Sequence, residues 1–255
     1  MYLNNQPYLH TKNDRMNCSV HSDYHQMSEF AANEILSVLA ANPKATLCLA
    51  TGDTPLLTYQ LLVEKIIRQK IKISQIHFVG LDEWVGVPHT NPGSCHYFLH
   101  KNIFTPLNVN LKNIHLFDAL SANLADECKK MNELIDRLQG IDLMLVGIGR
   151  NGHIGFNEPG DAENNFAHIS QLDPLTIEVG QKYFTETIHL QKGLTLGLAH
   201  FYAARKVMMM ANGIKKKEIV KKTLEYPIST QVPATLIRKH QNAILIIDKD
   251  ASGQE

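Results

Sequence analysis

Three short stretches hold the residue types that could move protons or hold an anion. The first, VGIGRNGHIGFNEPG (146–160), sets His153, Asn157 and Glu158 among glycines and a proline. An imidazole titrates near neutrality, and a nearby carboxylate fixes its tautomer and favours its charged form. His153 and Glu158 therefore read as a proton-shuttling pair, against the plainer alternative of a hydrogen-bonded structural histidine. The same stretch spells G-x-G-x-x-G at 147–152. As a dinucleotide fingerprint, that pattern needs a helix from Gly152 onward to present its N-terminus to a pyrophosphate. Gly155, Pro159 and Gly160 oppose such a helix, and Asp173, the acid about 20 positions on, is a pairing chance readily supplies.

The second stretch is LDEWVG (81–86), where Asp82 and Glu83 end an apolar run beside the only tryptophan, Trp84. A carboxylate held partly out of water has a raised pKa and can serve as a proton-abstracting base; a surface acidic pair is the alternative. The third is TGDTP (51–55). A glycine lets the backbone approach a ligand, hydroxyls donate, and the N-terminus of a following helix favours negative charge, so the turn reads as a phosphate cradle or as an ordinary capped turn. Thr54 is the expected N-cap and Pro55 the first helical residue. The serine of NPGSC, Ser94, lacks the strand-turn-helix context of a nucleophile, and the 13 histidines show no metal-binding spacing, so no metal is expected.

All three stretches sit at the ends of apolar runs. Residues 45–50, 75–81, 113–118, 142–146, 206–211 and 243–248 have the length and composition of buried strands. Between them, apolar residues at spacings of three and four predict helices over 26–41, 56–69, 124–138 and 215–224. Strand, helix and strand within about 35 residues make a parallel βαβ unit. The fold expected is a single-domain, three-layer Rossmann-like α/β structure with a doubly wound, mostly parallel sheet, spanning 22–255 behind a polar N-terminal extension at 1–21. In such sheets ligands gather at the carboxyl ends of the strands, which is where the three stretches fall.

Composition narrows the function classes. Lys+Arg 25 against Asp+Glu 25 gives no net charge, so neither nucleic acid nor an anionic membrane is an expected partner. A phosphorylated small molecule stays open, because one pocket can be basic inside a neutral protein. Four scattered cysteines without a C-x-x-C pair, no signal-like start and no run of 18 apolar residues suggest a soluble cytoplasmic protein with reduced thiols. Whether copies assemble into a homo-oligomer is left open.

In this order the three stretches resemble the glucosamine-6-phosphate deaminase (isomerase) family. LATGDTPLLTYQLL is similar to its phosphate loop, LDEWVG to its general-base segment, and VGIGRNGHIGFNEPG to its ring-opening loop. 6-Phosphogluconolactonases share the fold and a GxGxxGH loop, but theirs does not continue into F-N-E-P. The resemblance implies a cofactor-free aldose–ketose isomerisation coupled to ammonia release. Asp82 would move the proton between C2 and C1, His153 would assist ring opening with Glu158 as its charge partner, and Asn151 would orient. Thr51, Gly52, Thr54 and Lys216 would bind the substrate phosphate. Two departures stand out: Ile177 occupies the place of a phosphate-binding arginine in a segment like LDxxTR, and Asp53 puts a negative charge where many members have glycine. The missing arginine, together with LATG, PLLTYQ and LDEWVG, looks more like the galactosamine-6-phosphate isomerase branch. A lactonase and a non-catalytic sugar-phosphate sensor are the alternatives.

Overall fold

The computed structural model describes residues 17–254. Along the chain run β1 (Asn17–His21), α1 (Tyr24–Ala41), β2 (Thr46–Leu49), α2 (Asp53–Gln69), β3 (His77–Gly80), β4 (Asp82–Trp84) and α3 (Cys95–Leu99), which continues as a π-helical turn at His100–Phe104. Then follow β5 (Ile114–His115), α4 (Leu124–Arg137), β6 (Leu143–Gly147), β7 (His168–Gln171), α5 (Pro174–Gly180) and β8 (Lys192–Thr195). The chain closes with α6 (Leu198–Ala203), β9 (Val207–Ala211), α7 (Lys217–Glu225), β10 (Ala243–Asp248) and α8 (Lys249–Ser252).

Seven strands form one sheet in the order β1-β10-β9-β6-β2-β3-β5, every pair parallel. Its two faces explain why the strands read as unbroken apolar runs. In β6, Leu143 and Leu145 pack toward α1, α2 and the helix at 95–104, while Met144 and Val146 pack toward α4, α6 and α7. A strand covered by helices on both faces has no polar alternation to show. From β2 the chain moves outward through β3 to β5, then returns to the other side of β2 as β6 and proceeds outward through β9 and β10. The reversal lies between β2 and β6, so their carboxyl ends diverge and leave a crevice there.

Three features differ from the sequence expectation. Residues 17–21, assigned to the polar extension, are the edge strand β1, in register with β10 from Asn17↔Ile244 to His21↔Asp248. Its polar residues disguised it: Ser19 and His21 are buried and satisfy each other across 2.9 Å. The rest of that extension, 1–16, lies outside the described residues. Second, α2 begins at Asp53 with Gly52 as its N-cap at φ 109°, so neither Thr54 nor Pro55 has the role expected of it. The positive φ, open to glycine, turns the chain into the helix two residues early.

Third, β4, β8 and β7 form a small antiparallel sheet that no periodicity revealed. Strands of three and four residues are too short to show alternation. This sheet grows out of the large one at Leu81, whose N–H donates to Leu49 O at 3.2 Å and whose carbonyl accepts from Leu196 N–H at 2.8 Å. One strand therefore leaves the parallel sheet as β3 and enters the antiparallel sheet as β4, with Asp82 at the junction. Trp84 and Phe156 pack with ring centroids 4.4 Å apart and planes tilted by 52° in an aromatic cluster beside the small sheet. No helix among the described residues is long and apolar enough to cross a membrane.

Candidate active site

A cavity of about 380 Å³ occupies the crevice, floored by residues at the ends of β2, β4, β6 and β9. Asp82, Asn151, His153, Thr51, Gly52, Thr54 and Lys216 all line it, and Glu158 lies directly behind His153. Eight residues chosen from three distant stretches and a fourth segment thus converge on one place.

The acidic pair divides by the two-residue period of β4. Glu83 turns away from the cavity and accepts backbone N–H groups from Cys95 at 3.0 Å, His96 at 2.8 Å and its neighbour Trp84 at 2.9 Å. It anchors the start of α3, which Ser94 caps by accepting from Tyr97 N–H. Asp82 faces the cavity, where its Oδ1 accepts the Cys95 thiol at 3.5 Å. Burial pushes the Asp82 carboxyl up to about 7; the Cys95 hydrogen bond opposes the rise and the charge of Glu83 adds to it. A carboxylate with that affinity is poised to take a proton near neutral pH and return it.

No helix follows Gly152. The chain forms turns closed by a bridge between Ile154 and Asn157 and is held to the small sheet. Asn157 donates to Ile154 O and Leu196 O, both at 2.8 Å, and Phe156 N–H donates to Thr195 Oγ1 at 3.1 Å. Asp161 accepts Glu158 N–H at 2.9 Å and closes the far side. The geometry a bound pyrophosphate requires is absent from this loop. What the loop builds is a hydrogen-bonded chain. Glu158 Oε2 lies 3.3 Å from His153 Nδ1 and accepts Asn151 Nδ2–H at 2.8 Å, while Asn151 Oδ1 accepts His153 N–H at 3.1 Å. The Thr176 hydroxyl lies 2.9 Å from the same Nδ1. A carboxylate only accepts, so the hydrogen belongs on Nδ1 and leaves Nε2 for chemistry. The ring lies against Gly149, where a Cβ would meet it at 2.4 Å, so only glycine lets the imidazole sit there.

Burial raises the Glu158 carboxyl, but the hydrogen bond and charge of His153, with Thr176 and Asn151, outweigh it and hold the group below the ordinary carboxylate range. Its other oxygen, Oε1, is buried without a hydrogen-bond partner among the described residues. The carboxylate is thus ionised and directed at the imidazole by a single oxygen.

Cations line the same cavity. Lys216 follows β9 and donates to the Ile148 carbonyl. Burial pushes its ammonium down to about 8, with the charges of Lys182 and Arg150 acting the same way and Asp53 opposing. Thr51 donates to Cys95 Sγ at 3.1 Å and Thr54 to Asn212 Oδ1 at 2.7 Å. The Asp53 carboxylate, expected to burden an anion site, pairs with Lys182 at 2.7 Å and stays largely in solvent at 72% exposure. It also stands in the first turn of α2, where negative charge is favoured. Ile177 lies outside the cavity lining and packs with Trp84 and Phe156 in the aromatic cluster. Arg150, inside the first stretch, and Lys182, Cys95 and Thr176 line the same cavity and escaped the sequence reading; the last three sit in no recognisable motif, and only the folded chain brings them in. Among the described residues no cluster of three or more His, Cys, Asp or Glu side chains could hold a metal ion.

A sequence model of the family described as glucosamine-6-phosphate isomerases/6-phosphogluconolactonase matches residues 22–246. The chain belongs to that family. Membership accounts for the position of the three stretches, since the match runs through the strand end that carries each of them. The family relatives include a glucosamine-6-phosphate deaminase of Thermoanaerobacter sp. (strain X514), 36% identical over 231 residues, covering 90% of this chain and 91% of the relative. A candidate deaminase of Escherichia coli (strain K12), AgaI, is 40% identical over 226 residues, 89% of either chain. Among solved structures, a monomeric glucosamine-6-phosphate deaminase described as a missing link of the NagB superfamily superposes with a TM-score of 0.90 at 30% identity, covering 93% of this chain and 99% of that one. A 6-phosphogluconolactonase from Trypanosoma brucei superposes with a TM-score of 0.74 at 19% identity over 94% of this chain and 99% of that one, a likeness of fold.

Proposed function

We propose that this chain is an enzyme that converts a hexosamine 6-phosphate, with galactosamine 6-phosphate preferred over glucosamine 6-phosphate, to the ketose 6-phosphate and ammonia. The observation that carries the reading is the placement of Asp82: a carboxylate raised to about 7 shares one cavity with the His153–Glu158 pair and with a cluster of cations. A lactone hydrolase needs an activated water and no base at a sugar C2, so Asp82 favours the isomerising chemistry. The preference for the galacto epimer rests on Ile177 and on the combination of LATG, PLLTYQ and LDEWVG.

The steps follow from the geometry. The phosphate seats among Lys216, Lys182 and Arg150 near the α2 N-terminus, with Thr51, Gly52 and Thr54 beside it. His153 Nε2 takes the proton of the C1 hydroxyl and, as an imidazolium held by Glu158, gives it to the ring oxygen as the C1–O bond to that oxygen breaks, leaving the open aldehyde. Asp82 removes the proton on C2 and returns it to C1 while O1 gains the proton that the amine nitrogen loses, leaving an imine at C2. Water adds to that carbon, the C–N bond breaks, and ammonia departs with the ketose phosphate. No cofactor enters these steps.

The purified protein should release ammonia from galactosamine 6-phosphate and, more slowly, from glucosamine 6-phosphate in a coupled assay. Release from neither sugar, alongside hydrolysis of a 6-phosphogluconolactone, overturns the reading in favour of a lactonase. Ligand-induced thermal stabilisation with no turnover of any of the three leaves a sensor. Within this reading Lys182 supplies charge to the phosphate end, so Lys182→Ala should raise KM roughly 10-fold with kcat changed by less than about 2-fold, the signature of lost uniform binding. Steady-state kinetics with an unchanged KM would remove Lys182 from the phosphate site.

A further inference from the structure

The thiol of Cys95 joins two residues that the proposed chemistry uses separately. Thr51, at the phosphate end, donates its hydroxyl to Cys95 Sγ at 3.1 Å, and Cys95 donates its S–H to Asp82 Oδ1 at 3.5 Å. Neither contact is a chance of a loose loop. Cys95 is 5% exposed, is the first residue of α3, and has its backbone N–H fixed on Glu83 Oε1 at 3.0 Å. Burial first, then the charges of Glu83 and Asp82, keep the thiol well above its ordinary range, so it remains an S–H donor and is no nucleophile.

A threonine hydroxyl has one hydrogen to give. In the chain Thr51–Cys95–Asp82 that hydrogen rests on sulfur, and accepting it makes the thiol a better donor to Asp82, because hydrogen bonds in series polarise one another. A phosphate beside Thr51 competes for the same hydrogen. We propose that Cys95 is a positioning residue that reports phosphate occupancy to Asp82: when the Thr51 hydroxyl turns to the phosphate, the thiol loosens its hold on the carboxylate, and Asp82 becomes the stronger base only once substrate is seated. This rests on the reading of Asp82 as the C2 base. Besides Cys95 on α3, the titratable groups that bear on Asp82 are Glu83 on its own strand, Cys48 on β2 and Tyr59 on α2. Both Cys48 and Tyr59 are buried and held neutral, which leaves the thiol as the donor that can change.

The test reads Asp82 directly. Carbon-13 carboxyl resonances of aspartate-labelled protein are titrated with pH, with and without inorganic phosphate, in the full-length wild type and in Cys95→Ala, Cys95→Ser and Thr51→Val. In the wild type phosphate should raise the Asp82 midpoint. In Cys95→Ala the midpoint without phosphate should already lie higher by about 0.5 pH, the worth of one modest hydrogen bond, and phosphate should add a smaller increment, from its charge alone. Cys95→Ser, which keeps a donor, should behave as the wild type. Thr51→Val approaches from the other end and should also show a raised midpoint and a reduced increment; it decides the matter if Cys95→Ala does not fold. Equal phosphate increments in wild type and Cys95→Ala, or no effect of phosphate on Asp82 in the wild type, overturns the proposal. The titration needs no turnover, so a protein that releases no ammonia refutes the functional reading while this result still stands or falls by itself.

Discussion

Asp82→Asn should cost roughly 10³-fold or more in kcat for ammonia release while leaving KM within about 2-fold, because it removes the group proposed to carry the C2 proton and preserves shape and most polar contacts. The same substitution should make the protein more stable at neutral and alkaline pH. The sign follows from the raised affinity of Asp82 for its proton. An aspartate that titrates at about 7 when folded and near 3.8 when exposed favours the folded state while protonated. That contribution is complete below 3.8 and is lost as pH rises through about 7, where a charge must be held out of water. Asparagine never bears the charge. Above pH 7 the variant should therefore exceed the wild type by roughly 2–4 kcal/mol, and the gap should close on acidification below 4. Urea unfolding at pH 8 and pH 4, beside the ammonia assay, measures both halves. Loss of activity with loss of stability would mean that Asp82 is an architectural residue. Lactone hydrolysis indifferent to the substitution would move the chemistry to the other half of the family.

This paired outcome shows which kind of feature the amino-acid sequence makes legible. The inner strands of the large sheet were plain because helices cover both faces, so β6, β9 and β10 as far as Ile247 are apolar, whereas the edge strand β1 carries polar residues and was not. Their ends were plain for the same reason: an apolar run that stops at Asp82 or at Gly147 announces where polar chemistry can begin. The small sheet was hidden, since β4 has three residues and pairs with partners more than 80 positions away, and nothing local encodes such a pairing. The site divides likewise. Asp82, His153 and Glu158 stand out by type among glycines and apolar residues. Thr176, Cys95 and Lys182 have ordinary types in ordinary surroundings, and they become site residues because α5 and α3 fold over the crevice. Asp53 was legible as a negative charge but not in its effect, which depends on Lys182, 129 positions away.

Glu158→Gln should lower kcat/KM roughly 10²-fold at neutral pH through His153, a residue it leaves untouched. The carboxylate holds the hydrogen on Nδ1 and compensates the charge that appears when Nε2 picks up a proton; a neutral amide offers the hydrogen bond without the compensation. The acidic limb of the kcat/KM profile, assigned to Asp82 in the proposed chemistry, should stay in place. The amide brings a second cost. Glu158 Oε1 is buried without a partner among the described residues, and glutamine puts either an N–H₂ group there or its N–H₂ against Asn151 Nδ2. Stability carries the opposite sign to that of Asp82. A carboxylate held below its ordinary range near 4.5 stabilises the fold once ionised, and that contribution disappears as pH falls through its lowered folded value. Glu158→Gln should be less stable than the wild type at pH 7 and approach it in acid, the mirror image of Asp82→Asn. Both variants measured in one urea series distinguish the two carboxylates by sign alone: one is kept in the cavity at the expense of stability once it is charged, and the other stabilises the fold while it is ionised.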